Sequence, residues 1–482
     1  MKKIFLFILP MSLLLGACTK DISSYNGNSK APTTVPAGPL FTYAEYWLNY
    51  SLADCSAYDN IFRHIVEYWS QATNEDVAQY NFNLYNVPDN WWQRLYVNVL
   101  SNLHASDSIL SQDVTDLPAT VANERAIIDV LEVYTFNTLV NSFGNVPYSQ
   151  ALNPNILTPV FDDAKTIQAD LLTRLTTDIS KMTSANASFT STQDLLYGGN
   201  VANWIALANS LKIQIAMTLA DVDNTTAQTV MEASNSAAFQ STATDAVWSS
   251  FTTIYYDPIY YSLVLDGRTD YLACQTLMDT LIAYNDPRLP TFFGTNTSGQ
   301  YVGSPIGLQE ASTGAFSKPG AIYYTATCPY PFMDYMAMEF YRAEAIERGY
   351  NVPGTAEQHY DTAIALSIRY YGGTNAQVQA YLAQPSVAYS TAGGGTWTWR
   401  QKIGFQKWLA LYGRGMDSYT ELRRFDWPTM VPPVGAISGF PYRMTYPATT
   451  VSEQVLNPVN YAQAAAAIGG DNVSTKLYWD VN

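Results

Sequence analysis

Residues 333–373 read MDYMAMEFYRAEAIERGYNVPGTAEQHYDTAIALSIRYYGG and carry two helical patterns separated by a short turn. In the first pattern, apolar side chains recur at spacings of three and four residues, at Met336, Phe340, Ala343 and Ile346. Gly349 predicts the end of this helix, and Glu344 with Arg348 is expected to form an ion pair on its surface. Thr355 is a suitable N-cap for a second helix with apolar side chains at Tyr360, Ala363, Ile364 and Ile368.

Two helices joined in this way are similar to one tetratricopeptide-like pair, although the repeat is not regular enough to define an array. The same spacing continues at Trp204, Leu207, Ala208, Leu211, Ile215 and Leu219. It also occurs from Ile127 to Phe143, where Gly144 and then Pro147 predict a helix end. Strand patterns are few and short, such as Tyr442–Tyr446. The sequence therefore predicts an all-α body with long aromatic and polar loops and a minor β-hairpin.

The composition excludes some classes of partner. The chain has 482 residues, with 41 Asp plus Glu, 25 Lys plus Arg and a formal net charge of -16. Its 36 Tyr, 19 Phe and 11 Trp are together as numerous as all its charged side chains. Binding to nucleic acid or to an anionic membrane surface requires clustered Lys and Arg, which this chain lacks. The apolar and aromatic content instead predicts a large folded core.

The N-terminus has the pattern of a secretory signal. Lys2 and Lys3 precede an apolar run from Ile4 to Leu15, which is too short to span a membrane. Leu15-Gly16-Ala17-Cys18 resembles a bacterial lipobox, which implies a signal peptide at residues 1–17 and lipidation of Cys18. Residues 18–40 are rich in Ser, Asn, Pro and Gly and are expected to form a flexible tether. Residues 41–482 are expected to form a single helical domain.

The usual catalytic and metal-binding motifs are absent from the sequence. There is no nucleophile elbow, phosphate-binding loop, dinucleotide-binding glycine motif or His-Glu-x-x-His zinc motif. The three histidines are far apart, which makes an imidazole metal site an unfavoured interpretation. Cys55, Cys274 and Cys328 are expected to be small buried hydrophobic residues, with at most one disulfide among them. Paired carboxylates cannot be identified by spacing, so a secreted all-helical glycoside hydrolase remains an alternative.

Two loops combine aromatic and amide side chains without a helical period. Aromatic rings bind the C–H faces of sugars, and Asn and Gln pair with hydroxyl groups. In a chain with this many rings most must fill the core, but in these two loops we expect exposed rings. The candidate ligand-binding residues are Trp69, Gln71, Asn74, Tyr80, Asn83 and Tyr85 in the first loop. In the second loop they are Tyr255, Tyr256, Tyr260 and Tyr261, with Arg268 and Asp270 nearby.

Several segments, in order along the chain, resemble the SusD/RagB family of nutrient-binding outer-membrane lipoproteins of Bacteroidetes. After the lipobox these segments are Trp92–Tyr96, Phe143–Tyr148, Trp204–Asp221, Asp286–Leu289, Ala343–Ala345, Gln406–Leu411, Glu421–Arg424 and Leu477–Asp480. The resemblance is closest to the SusD-like, starch-binding-associated subgroup. It implies an all-α fold in which four tetratricopeptide-like helix pairs support an irregular, loop-rich, ligand-facing half.

The resemblance also implies a function. The expected protein is a non-catalytic lipoprotein on the outer face of the outer membrane, anchored through Cys18. It would capture oligosaccharides and deliver them to a SusC-type TonB-dependent transporter; peptides are the alternative ligand. No cofactor is expected, and calcium stays open because no loop shows regular oxygen-ligand spacing. The family motifs are scaffold signatures, and the pair Arg423-Arg424 in particular is expected to form structural ion pairs.

Overall fold

The computed structural model describes residues 35–73, 75–249, 256–449 and 452–482. The predictions for Cys18, Asn74 and Tyr255, for the signal peptide and for the tether before residue 35 lie outside these residues. Residues Ala37–Asn482 form one compact unit. None of the helices in the described ranges has both the length and the apolar composition that crossing a membrane requires.

Helices make up most of the regular structure. Those in the N-terminal half are α1 (Ala37–Ala53), α2 (Phe62–Ile65), α3 (Glu75–Ala78), α4 (Val87–Gln93), α5 (Ser101–Leu110), α6 (Pro118–Phe143), α7 (Ala164–Lys181), α8 (Val201–Thr218) and α9 (Asn224–Ser234). Those that follow are α10 (Pro258–Tyr260), α11 (Gln275–Ala283), α12 (Leu289–Phe292), α13 (Tyr335–Glu347), α14 (Ala356–Tyr370), α15 (Asn375–Leu382), α16 (Trp399–Ala410), α17 (Gly415–Phe425), α18 (Glu453–Leu456) and α19 (Pro458–Ala467). The predicted all-α fold class is confirmed.

The long helices pack as pairs of chain neighbours, which are α6 with α7, α8 with α9, α13 with α14 and α16 with α17. Local sequence fixes their ends. Gly144 adopts a φ of 87°, a left-handed conformation that favours glycine and ends α6 where the sequence predicted. Thr355 caps α14 and forms a reciprocal capping box with Gln358. The helix pair predicted from residues 333–373 is therefore present, with its apolar side chains in the core.

The strands are short and pair two by two in the described residues. Antiparallel pairs join β1 (Trp69–Gln71) to β5 (Tyr271–Ala273), β2 (Val146–Pro147) to β3 (Phe161–Asp162), and β4 (Ala246–Trp248) to β6 (Tyr330–Met333). The strand predicted at Tyr442–Tyr446 is wrong. The backbone amides of this segment bond instead to Val473, to Ser142 and to the carboxylate of Asp471, so it follows other segments irregularly and does not join a ladder.

The pair Glu344–Arg348 forms, with 2.9 Å between Nε and Oε1, but the prediction that it lies on the surface is wrong. Glu344 is fully buried because α16 packs on α13 and side chains of α17 reach the same face. Arg424 lies between two carboxylates there, 2.7 Å from Glu344 and 2.5 Å from Glu421. Arg424 thus makes the structural ion pairs expected from the sequence, whereas Arg423 donates to backbone carbonyl oxygens and forms no ion pair within the described residues. A buried network of this kind is costly to break, because removing one partner leaves an unpaired charge.

Cys55, Cys274 and Cys328 are buried free thiols, as expected for small hydrophobic side chains. Burial raises the pKa of Cys55 and of Cys328 to about 12. Thiols with such pKa values are mostly protonated at neutral pH and are poor nucleophiles.

A half-buried histidine links the two helices of the central pair. The Nδ1 atom of His359 on α14 lies 2.6 Å from a carboxylate oxygen of Glu339 on α13, and its Nε2 lies 2.8 Å from the carbonyl oxygen of Pro353. Although burial opposes protonation, the Glu339 carboxylate raises the pKa of His359. Burial likewise opposes ionisation of Glu339, but His359 and Arg342 lower its pKa overall.

These shifts predict a pH-dependent contribution to stability. Because the pKa of His359 is raised on folding, its stabilisation is fully present below the unfolded pKa of about 6.5 and is lost as pH rises through the folded pKa. The loss of unfolding free energy caused by His359→Gln should therefore be larger at pH 5.5 than at pH 9, measured by urea unfolding. The exposed residue His104 provides the control substitution His104→Gln. An equal loss at both pH values for His359→Gln would contradict this assignment.

Candidate functional site

The first predicted ligand loop begins as a strand inside the protein. Strand β1 pairs with β5 so that Trp69 lies opposite Ala273 and Gln71 lies opposite Tyr271. The Trp69 side chain is fully buried, and its indole N–H donates a hydrogen bond of 2.8 Å to the hydroxyl of Tyr412. The expectation that this ring is exposed is therefore wrong.

Gln71 and Tyr80 are also turned inward. Alternate residues of a strand share a face, so Gln71 follows Trp69 into the interior, where its side chain is fully buried. The Tyr80 side chain is only 5% exposed. The hydroxyl of Ser70, on the other face of β1, donates to the carbonyl oxygen of Pro305, so neither face of the strand is open to solvent. The sequence pattern missed this because strand pairing with a segment 200 residues away leaves no local period.

The end of the same loop does reach the surface. Phe82–Tyr85 forms one turn of 3₁₀-helix, with Asn83 exposed and Tyr85 half-buried. The Tyr85 ring meets the ring of Tyr58 edge to face, with 4.8 Å between centroids and 82° between planes. The side-chain amide of Asn90 donates to the carbonyl oxygens of Tyr58, at 2.8 Å, and of Tyr85, at 3.4 Å. These bonds hold the backbones that carry the two rings beside each other.

The second predicted loop presents its rings partly to solvent. Tyr261 is 46% exposed, whereas Tyr256 and Tyr260 are half-buried. The rings of Tyr256 and Tyr261 are 6.3 Å apart. Asp257 begins the short helix α10 as its N-cap, accepting a 2.7 Å hydrogen bond from the backbone N–H of Tyr260.

Arg268 and Asp270 bring the two loops together. The Arg268 guanidinium makes two hydrogen bonds to Asp270, of 2.8 Å and 2.7 Å, and its carbon lies 6.0 Å from the centroid of the Tyr58 ring. Thr73, directly after β1, donates its hydroxyl to the same carboxylate at 3.0 Å. Tyr58 thus lies next to both Tyr85 and Arg268, and we call these three residues the tyrosine–arginine surface.

The electrostatics of this surface favour a fixed guanidinium. The pKa of Asp270 is lowered, because its hydrogen bonds to Arg268 outweigh the opposing effect of burial. The hydrogen bond to Asp270 in turn raises the pKa of Arg268. Arg268 is therefore charged and held in one orientation by a bidentate pair. The result is a set of aromatic edges and faces next to hydrogen-bonding groups, which suits ring stacking and hydroxyl recognition.

Sequence reasoning missed Tyr58. It lies in the turn between α1 and α2, and among 36 tyrosines nothing in its spacing distinguishes it. Among the described candidates, Tyr85 is the one that the structure joins to this surface. A search of the described residues found no group of three or more His, Cys, Asp or Glu side chains arranged to hold a metal ion.

The fold is that of an all-α protein whose loops carry this surface. Residues 29–447 match the family model SusD-like_2, described as starch-binding associating with outer membrane. The chain belongs to this family, and the predicted resemblance to SusD/RagB proteins is confirmed. No match was found among curated proteins.

Solved structures share the fold at low sequence identity. A SusD homolog from Bacteroides uniformis is 22% identical, with a TM-score of 0.78 over 92% of this chain and 99% of that one. A chitin-binding SusD homolog from Flavobacterium johnsoniae is 21% identical, with a TM-score of 0.77 over 92% of this chain and 98% of that one. A SusD-like protein from Bacteroides thetaiotaomicron is 21% identical, with a TM-score of 0.77 over 93% and 99% of the two chains.

The different environments of the two loop aromatics predict different mutational effects. Trp69→Ala should lower the unfolding free energy by about 3–5 kcal/mol, because it creates a cavity and removes the bond to Tyr412. Tyr85→Ala should cost about 1 kcal/mol or less, since its half-buried ring mainly loses the contact with Tyr58. Urea unfolding of both variants checks this. If Trp69→Ala had the same unfolding free energy as the wild type, this would contradict the conclusion that the Trp69 ring is buried and stabilises the fold.

Proposed function

We propose that this protein captures oligosaccharides at the cell surface and delivers them to a SusC-type TonB-dependent transporter, without chemical turnover. The observation that carries this proposal is the tyrosine–arginine surface, in which two tyrosine rings and a fixed guanidinium lie together on loops outside the helix pairs. Sugar rings stack their C–H faces on such aromatic rings, and their hydroxyl groups pair with Arg and Asp.

Capture and release require moderate affinity. Two half-buried rings and one ion pair provide few contacts, and each net hydrogen bond or ring contact contributes about 0.5–1.5 kcal/mol. We therefore expect an affinity toward the weak end of the micromolar to millimolar range, which spans about 4–8 kcal/mol. A ligand held this weakly can pass to a second protein.

The family match supports the carbohydrate class. The family is described as starch-binding, and one of the similar structures is described as a chitin-binding protein from Flavobacterium johnsoniae. Starch and chitin are both neutral polymers of pyranose rings. A neutral ligand also agrees with the net charge of -16, which would repel polyanionic substrates.

The proposed location follows from the N-terminal sequence and the family. Residues 1–17 would direct export, lipid on Cys18 would anchor the chain in the outer membrane, and residues 18–40 would tether the single domain of residues 41–482. Multiple acyl chains anchor a protein durably to a bilayer. The family description associates such chains with the outer membrane.

The proposed function predicts specific loss of affinity on truncation of the surface. The chain carrying Cys18→Ser should bind maltoheptaose or chitohexaose, measured by isothermal titration calorimetry. Tyr85→Ala in this background should weaken binding roughly tenfold, about 1.4 kcal/mol, because it removes one stacking ring. Tyr43→Ala, on α1 and 44% exposed, is the matched control and should leave the affinity unchanged.

Three results would oppose this function. Unchanged affinity of Tyr85→Ala would contradict the assignment of the binding site. Binding of peptides, with no binding of any glycan tested, would show that the ligands are peptides. Release of shorter sugars from a polysaccharide by the pure protein would show that the protein is a hydrolase.

A further inference from the structure

A cavity of about 490 Å³ lies where the loop-rich half meets the ends of the helix pairs. Its walls include Asp257 and Ile259 of the second loop, Tyr323 and Tyr330 farther along the chain, and Tyr370 at the end of α14. Its volume falls within the range of roughly 300–1,000 Å³ that is usual for small-ligand pockets. The cavity is built by residues other than Tyr58, Tyr85 and Arg268, and is therefore distinct from the tyrosine–arginine surface.

Arg63 brings a buried, fixed guanidinium to the cavity wall. Its side chain is 99% buried, with 1% of its surface exposed. Its two terminal nitrogens donate to the carbonyl oxygens of Asp54 and Gly413, but its Nε–H has no hydrogen-bond partner among the described residues. Because this Nε–H is closed off from solvent, Arg63 brings a fixed positive charge to the cavity wall and not a free donor.

Asp257 lines the same cavity and is also buried, with 2% of its surface exposed. Its carboxyl group already accepts from the backbone N–H of Tyr260. Burial raises the pKa of Asp257 to about 7, so near neutral pH this group either accepts or donates a hydrogen bond. Hydroxyl groups, which do both, pair with either form.

The chemistry of the lining selects a class of ligand. A purely apolar molecule would cover the Asp257 carboxyl without adding to the one hydrogen bond that it accepts from Tyr260. Above the pKa of Asp257, an anion or a cation would add a net charge to a buried site in which the charges of Arg63 and Asp257 are opposite, and an unbalanced buried charge is costly. A neutral ring with several hydroxyl groups gives the carboxyl of Asp257 a further hydrogen-bond partner, and its C–H faces can lie on the tyrosine rings.

We propose that this cavity is a second carbohydrate subsite, which takes one neutral pyranose unit. The proposal rests on the proposed function, because it assigns a second contact to the same class of ligand. The segment from Asp257 to Arg268 contributes to both places: Asp257 lines the cavity, and Arg268 belongs to the tyrosine–arginine surface. A longer oligosaccharide thus has two places to bind, one for stacking along the chain and one for a single ring.

Two variants test the cavity at pH 8, where Asp257 is ionised, in the Cys18→Ser background. Thr325 lines the cavity and its side chain is exposed, so Thr325→Trp should obstruct the entrance without disturbing the core. Asp257→Asn keeps an N-cap for α10 and removes the charge. The probes are maltose, N,N′-diacetylchitobiose and a disaccharide that ends in glucuronic acid, titrated by calorimetry, with thermal unfolding to verify folding.

At least one neutral disaccharide should bind the wild type roughly tenfold more tightly than the acidic one, and Thr325→Trp should lose roughly tenfold of that affinity. Asp257→Asn should reduce the preference for the neutral probe, because it removes the negative charge that opposes an anion. Tyr43→Ala should change neither value.

The outcomes separate this inference from the proposed function. Disaccharide binding that Tyr85→Ala weakens, and that Thr325→Trp and Asp257→Asn leave unchanged, would overturn the cavity subsite alone. An acidic disaccharide preferred over both neutral ones would overturn the ligand class. No binding of any glycan to the wild type would overturn the proposed function and the subsite together.

Discussion

The burial of Trp69 is the constraint on which the candidate site depends. Its indole N–H bonds to Tyr412, which follows α16, and thereby attaches the loop segment to the helix pairs. Neighbouring contacts act in the same direction. Tyr68 donates to the hydroxyl of Ser418 on α17, and Trp408 on α16 donates to the carbonyl oxygen of Val66. With β1 fixed in this way, its pairing with β5 sets the positions of Asp270 and Arg268, and Arg268 lies against Tyr58.

The structure shows where the few charged residues and the many aromatic residues of this chain lie. Many of the few charged residues lie inside, as in the network of Arg424, Glu421 and Glu344, where hydrogen bonds and opposite charges compensate their burial. Many of the rings also fill the core, Trp69 among them. Tyr370 keeps 47% of its surface exposed and lines the cavity where we propose that a sugar binds.

Much of the helical half could be predicted from the sequence, because its signals are local. Apolar spacing, the glycine at position 144 and the Thr355 cap each act within a few residues. Helix α6 ends at Gly144 and helix α14 begins after Thr355, as these signals predict. Burial depends on distant partners and could not be read in this way. Glu344 and Arg348 have the spacing of a surface pair, but other helices cover them. Tyr442–Tyr446 alternates like a strand, yet has no strand beside it to pair with.

The candidate site was predicted in part for the same reason. Tyr85 and Arg268 were singled out by loops rich in rings and polar groups, and the structure places both on one surface. Trp69 carries the same local signature but lies inside, since a strand far along the chain covers it. Tyr58 could not be predicted from its sequence neighbours, because its place at this surface depends on contacts with Tyr85 and Arg268, which lie on other segments of the chain.

A crystal structure of the Cys18→Ser chain with a bound neutral oligosaccharide would test the central claim most directly. The account predicts a sugar ring within about 4 Å of the rings of Tyr58 or Tyr85, with a hydroxyl group bonded to Arg268 or Asp270. An oligosaccharide bound on the helix pairs, with the tyrosine–arginine surface empty, would contradict it.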